Sequence, residues 1–349
     1  MKALLLSQYC HLELADLDIP QPGPGEALIR VAACGICGSD VHGYDGSSGR
    51  RIPPLVMGHE ASGTIASLGT GVSGWSEGDR VTCDSTIYCG ECASCLRGKV
   101  NLCDRRQVLG VSCGDYRRNG AFAEFVVVPA RIMHRLPENL PFAEAALLEA
   151  VAVALHAVSL VPVAAGSTAL VIGAGTIGLL LLQALRVAGC SRVLVADVDA
   201  TRLQLSLELG ASAALSAGAD LTQADLTQQV MALTGGAGVD LAVEAVGRTE
   251  TVNAAIDAVG KGGNVVLVGN ISPEVTLPLQ KVVSRQIRLQ GSCASAGEYP
   301  EAIRLLSSGA IRVKPLITAI APLAEGAMWF ERLHAREPNL MKVVLTPES

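Results

Sequence analysis

Residues 169–178 read ALVIGAGTIG, an apolar strand running into Gly173, Gly175 and Gly178, and LLLLQALRVAG continues from there with the texture of a helix. The glycine spacing is informative only in that strand-turn-helix setting. There the three glycines serve different ends: one allows a tight turn, one lets backbone approach a pyrophosphate, and one lets helix pack closely on strand. The turn and first helical residues, Gly173, Gly175, Thr176, Ile177 and Gly178, are thus candidates to bind a dinucleotide, because a helix start offers free N–H groups to phosphate oxygens. Asp197 closes the next strand, RVLVAD, at the spacing expected of a carboxylate that binds the adenosine ribose hydroxyls. Such a carboxylate repels a 2′-phosphate, so NAD is expected over NADP, with Arg202 a small counterweight. Plainer readings stand beside these: a glycine turn that only packs a strand on a helix, and an Asp197 that only caps a helix.

Working outward, strand and helix patterns alternate from about Pro162 to Gln290, with TALVIGAG, RVLVADV, DLAVEAVG and GNVVLVGN as the strands. That alternation predicts parallel strands joined by crossover helices. Between Leu28 and Phe125, short β-rich runs alternate with Gly- and Pro-rich turns, the pattern of an irregular, strand-dominated domain. After Gln290, two helical stretches and the closing strand MKVVLT are assigned back to that first domain. A chain of 349 residues is long enough for two cores, since single cores stop growing near that size. The expected class is α/β, with a β-rich domain of residues 1–155 and 290–349 and a Rossmann-type, doubly wound parallel-sheet domain of residues 156–289.

The net charge is −6 and no stretch is dense in Lys and Arg. Nucleic acid and anionic membranes need a basic footprint, so a small-molecule partner is expected instead. The apolar window Gly178–Val187 is too short to cross a bilayer, and acidic residues stand where a leader would be cleaved; a cytoplasmic protein with no membrane segment is expected. Of eleven cysteines, Cys89, Cys92, Cys95 and Cys103 stand as C-x2-C-x2-C-x7-C. Four thiolates close a tetrahedral zinc shell and leave no open position, which predicts a structural zinc. An iron–sulfur cluster or two disulfides are the alternatives.

A second constellation is spread along the β-rich half: Cys37 in ACGICGSDVH, His59 and Glu60 in MGHE, and Glu149 in ALLEAVAVALHA. A catalytic zinc wants three protein ligands and one exchangeable position, and thiolate, imidazole and carboxylate provide them. Taken in order, these segments, the four-cysteine loop and VIGAGTIG resemble the zinc-dependent medium-chain dehydrogenases over nearly the whole chain, nearest to the polyol and sugar-alcohol branch. That resemblance implies a GroES-like catalytic domain, a second and catalytic zinc, and a homodimer or homotetramer in which the strand near Gly263–Asn270 and its neighbours pair across subunits. It makes Cys37, His59 and Glu149 zinc-site positions, with Glu60 beside the metal and able to ligate it, and Asp40 the acceptor that orients His59. Ser39 and His42 would pass the alcohol proton to solvent; by residue type alone they are a turn serine and a surface histidine.

Two departures stand out. Ala294 and Ser295 replace the Arg-Tyr pair of animal sorbitol dehydrogenases, and Ala150 replaces the proline that usually follows the third ligand. With only 3% aromatic residues, a small polar secondary alcohol is expected rather than a bulky apolar one. Arg50, Arg51, Arg117 and Arg118 are candidates for a substrate phosphate or carboxylate, though loop arginines are more often simply solvated. The rivals are an NADPH-linked carbonyl reductase on the same scaffold and, from another class, a non-enzymatic NAD(H)-binding sensor.

Overall fold

The computed structural model describes residues 1–217 and 223–347. The chain divides into two compact units. The first holds Met1–Glu149, Ser295–Gly309 and Val313–Ser349, and the second Ala150–Ala294 with Ala310–Arg312. The division after Glu149 and the boundary expected at 155/156 both lie within the helix Leu148–Ser159. The one expected at 289/290 would cut the strand Arg288–Gly291.

In the second unit six parallel strands are ordered Ala213–Ser216, Arg192–Asp197, Thr168–Ile172, Val239–Glu244, Val259–Leu267, Arg288–Gly291. The four inner ones carry the apolar runs legible in the sequence. Both outer strands are four residues long and have no such run to announce them, as expected of short edges with mixed polarity. The strand including Gly263 is therefore interior on this sheet, and Arg288–Gly291 is the edge on its side among the described residues. Gln183, which interrupts the apolar helix Thr176–Val187, is buried and used: its amide donates to Arg312 O at 3.1 Å and accepts from Arg312 N at 2.8 Å. This pins Ala310–Arg312 to the unit.

The first unit is built on a seven-stranded sheet. Glu26–Gly35 pairs with Glu60–Leu68, with Phe125–Pro129 and with the C-terminal strand Lys342–Thr346, so the tail does return to this unit. Ile317–Pro322, which the sequence pattern does not mark as a strand, extends the sheet beyond Lys342–Thr346. The one helical stretch among the described residues that is apolar and long enough to cross a membrane, Phe142–Ser159, is mostly buried within the chain.

Candidate metal centres and cofactor site

Register explains how the first cluster forms. Gly35 is paired with Glu60 on one side and Val344 on the other, so three strand ends meet where Ile36 and Cys37 leave the sheet. Ile36 is held at both ends by the C-terminal strand: its N–H donates to Val343 O at 2.9 Å, and its carbonyl accepts from Lys342 Nζ at 3.0 Å. Gly35 has to be glycine, because a Cβ there would stand 2.2 Å from the Glu60 carboxylate. The ligand atoms of Cys37, His59 and Glu60 lie within 4.8 Å of one another, with His59 and Glu60 buried. Soft and hard donors mixed in this way, so close and so enclosed, fit zinc.

Glu149 stands apart from that trio. Its carboxylate accepts from Ser85 Oγ at 3.2 Å, and burial raises its pKa, with Glu60 adding to the effect. Glu60 takes the nearer place, but it is shared. Lys342, 3% exposed, donates to both Glu60 oxygens at 2.7 and 2.9 Å. Burial alone would lower the Lys342 pKa; the charges of Glu60, Cys37 and Glu149 and the bonds to Glu60 together outweigh it and raise it. Nothing in MKVVLT announces this role beyond a single charge opening an apolar strand.

The helix Gly38–Tyr44 carries Ser39, Asp40 and His42. Asp40 is fully buried. One oxygen accepts from Cys37 N at 3.2 Å, and the other lies 3.3 Å from His59 Nδ1, a contact too bent for a good hydrogen bond. Burial pushes the Asp40 carboxyl up, but His59, Arg51 and the Cys37 N–H prevail and hold it at about 2. In turn, burial pushes the His59 pKa down, but Asp40 prevails and raises it well above its usual value. Ser39 and His42, three residues apart, share a helix face. The helix is braced by Gly326–His334: Tyr44 packs on Phe330, and His334 Nε2 reaches Asp45 at 3.2 Å.

Arg51 corrects the expectation of a solvated loop arginine. It is 5% exposed and donates to Asp40 Oδ1 at 3.2 Å and to Ser39 Oγ at 3.1 Å. Arg118 pairs with Glu26 at 3.2 Å and Arg117 with Pro54 O, so both are engaged within the chain.

The second cluster comes from one stretch. Cys89, Cys92, Cys95 and Cys103 bring their sulfurs within 4.8 Å, and Gly90 and Gly98 turn the loop at positive φ. Backbone N–H groups aim at sulfur: Cys92 N to Cys89 and Arg105 N to Cys103, both at 3.3 Å. The N–H groups of Glu91 and Cys92 draw the Cys89 thiol down to about 6, a thiolate environment suited to a metal. All four are free thiols rather than disulfides, and four sulfurs with no fifth donor fit a closed structural zinc site.

In the second unit, a Cβ on Gly178 would fall 1.7 Å from Gly173 O, while one on Gly175 would meet nothing within 4 Å. The loop is therefore packed shut behind and open in front, at a helix start with no side-chain cap, which fits a pyrophosphate. Asp197 is not the helix cap. Asp199 is, accepting from Thr201 N and Arg202 N, and Arg202 lies 3.7 Å from Asp199. Asp197 instead accepts from Ala174 N at 2.5 Å and Asp199 N at 2.9 Å, which fixes its carboxylate at the strand end.

A GroES-like unit with two zinc-type clusters and a separate dinucleotide-binding unit define a zinc-dependent dehydrogenase. Residues 23–138 match the alcohol dehydrogenase GroES-like domain and residues 176–308 the zinc-binding dehydrogenase family. Sorbitol dehydrogenase of Bacillus subtilis (strain 168) is 30% identical over 99% of this chain and 97% of its own length. A zinc-binding dehydrogenase from Sinorhizobium meliloti 1021 bound to NADP superposes with a TM-score of 0.89, at 32% identity and 99% coverage of both chains. An alcohol dehydrogenase from Escherichia coli CFT073 complexed with NADH gives 0.91, at 30% identity and 99% of both. The chain belongs to the zinc-binding alcohol dehydrogenase family and is an oxidoreductase. The non-enzymatic sensor is thereby set aside.

Proposed function

We propose that this enzyme oxidises a secondary alcohol of a small, polar, polyol-like molecule to the ketone, with NAD as acceptor. The observation that carries the proposal is the Cys37–His59–Glu60 cluster, its His59 and Glu60 buried, next to the helix bearing Ser39. Cys37, His59 and Glu60 would hold the catalytic zinc, with Glu149 in reserve on Ser85, and Cys89, Cys92, Cys95 and Cys103 the structural one. When bound, zinc supplies a Lewis acid for the substrate oxygen and NAD a two-electron acceptor. Asp40, with Oδ1 3.3 Å from His59 Nδ1, would hold the imidazole by its charge and orient it for the metal. Ser39 accepts the alcohol proton while passing its own onward, and His42, one turn along, delivers it to solvent.

Gly173, Gly175, Thr176, Ile177 and Gly178 would receive the pyrophosphate and Asp197 the ribose hydroxyls. The fixed Asp197 charge supports NAD. Arg202, on the next helix 3.7 Å from Asp199, and the NADP-bound relative support the NADPH-linked reductase as the second reading. The B. subtilis relative, named a sorbitol dehydrogenase, supports the substrate class. A homodimer is supported by the edge strand Arg288–Gly291 and by Leu279 and Val283, 65% and 71% exposed on the adjoining helix. Eleven cysteines with no disulfide among the described residues suit the cytoplasm.

The test is zinc content per chain together with NAD and NADP reduction on sorbitol, galactitol, arabitol, threonine and 2-butanol. Two zincs and chelator-sensitive NADH formation are expected. A fully zinc-loaded chain that oxidises none of them sinks the proposal, and a preference for NADP favours the reductase.

A further inference from the structure

Arg51 is unexplained by the reaction as described so far, and its burial needs a reason. A guanidinium removed from water is costly unless its donors are met, yet the fold is shaped to place it. Its backbone is clamped by Ser112, whose N–H donates to Arg50 O at 3.1 Å and whose hydroxyl accepts from Ile52 N at 2.6 Å and donates to Ile52 O at 3.1 Å. Its stem crosses the helix Gly38–Tyr44 at Gly43, where a Cβ would stand 2.5 Å from Arg51 Cδ. One terminal nitrogen, Nη2, then divides between Asp40 Oδ1 at 3.2 Å and Ser39 Oγ at 3.1 Å.

A pair with Asp40 alone would be structural. The bond to Ser39 is different in kind, because a guanidinium has donors only, so Ser39 Oγ has to be the acceptor. Its hydroxyl proton is thereby excluded from the Arg51 side, and a hydroxyl that accepts from a cation becomes a stronger donor to other oxygens. We propose that Arg51 is a positioning residue for proton transfer: it fixes and polarises the Ser39 hydroxyl so that it bonds most strongly to the oxygen that becomes negative. Arg51 itself exchanges no proton. The substrate O–H bond breaks, that proton joins Ser39 Oγ, and the proton Ser39 held leaves along the relay to solvent. This inference rests on the role given to Ser39 above.

The test uses the full, zinc-loaded chain as Arg51→Met, Arg51→Lys, Ser39→Ala and the two double variants, with whichever alcohol of the panel the wild type oxidises fastest. Arg51→Met is expected to lower kcat roughly tenfold to hundredfold, as loss of a donor network to a developing oxyanion does, with KM nearly unchanged and zinc retained. In the Ser39→Ala background the same change should cost less than about twofold, since coupled residues are not additive. Calorimetric titration of 2,2,2-trifluoroethanol into the NAD-saturated chain should show the same Ser39-dependent weakening without turnover. Arg51→Lys keeps a charge for Asp40 but lacks the fork; it recovers zinc and folding if Arg51→Met does not fold, and still shows a Ser39-dependent loss. Equal losses in both backgrounds, or a loss that tracks missing zinc, overturn the inference. No oxidation by the wild type overturns the functional proposal instead.

Discussion

The four-cysteine lobe and the Cys37–His59–Glu60 cluster lie in the same compact unit but are built in opposite ways. The lobe gathers like donors from the single stretch 89–103, and its outer partners, Glu91 and Arg105, are 71% and 61% exposed. The other cluster gathers unlike donors from separate strand ends and surrounds them with buried ions: Lys342 on Glu60, and Arg51 on Asp40. One is a local staple. The other depends on the whole sheet being in register, and so has more ways to be broken.

The sharpest way to break the comparison is to remove one ligand from each. Cys37→Ala is expected to lower turnover on the order of 10³-fold or more, since the Lewis acid supplies several kcal/mol of transition-state stabilisation, while NAD still binds. Cys103→Ala should instead lower the stability of the fold by several kcal/mol, because structural zinc contributes folding energy, and leave kcat of the folded fraction within a few-fold. Stopped turnover in Cys103→Ala chains that remain folded would show that the lobe is not merely structural.

The next effect concerns the buried ions. In the zinc-free chain, Lys342→Met leaves the Glu60 carboxylate enclosed without its cation, which costs about 3–5 kcal/mol when one partner of a buried pair is lost. Cutting the exposed Arg105–Glu91 pair of the lobe with Arg105→Ala should cost under about 1 kcal/mol. Chemical denaturation of both variants checks the contrast, and comparable losses would remove it.

These differences also decide what the sequence disclosed. The cysteine lobe was legible because its ligands are neighbours in the chain, and the glycine loop because strand, turn and helix are consecutive. Cys37 and His59 were legible through their flanking motifs. Lys342 and Arg51 were not, because their partners are set by strand register and by a glycine gap rather than by spacing: Lys342 meets Glu60 across 282 positions. Glu149 was placed in the right neighbourhood, but its helix turns its carboxylate to Ser85. Asp199 takes the capping role weighed for Asp197, a distinction of two residues that only the local backbone resolves.

A pH-dependent effect lies at Asp84, a few residues ahead of Cys89 in the chain. Asp84 is 6% exposed and accepts from Thr86 N at 2.8 Å; burial raises its pKa from 3.8 to about 7. Between those values the folded chain keeps a proton that the unfolded chain has released, so stability falls as pH rises through that window and levels off above it. His134, stacked on Tyr299, works the other way: burial lowers it from 6.5 to about 4, so stability rises with pH between 4 and 6.5. The two slopes oppose each other between pH 4 and 6.5. Asp84→Asn removes only the first, so the variant should gain on the wild type steadily from pH 4 to 7, by at most about 4 kcal/mol, and hold that gain above pH 7. The difference between the two proteins removes the contribution of His134, so its slope reads Asp84 together with its charged neighbours Glu149 and Glu298. Urea midpoints at pH 4.5, 6 and 7.5 measure it, and a constant offset would mean that burial does not hold a proton on Asp84 in the fold.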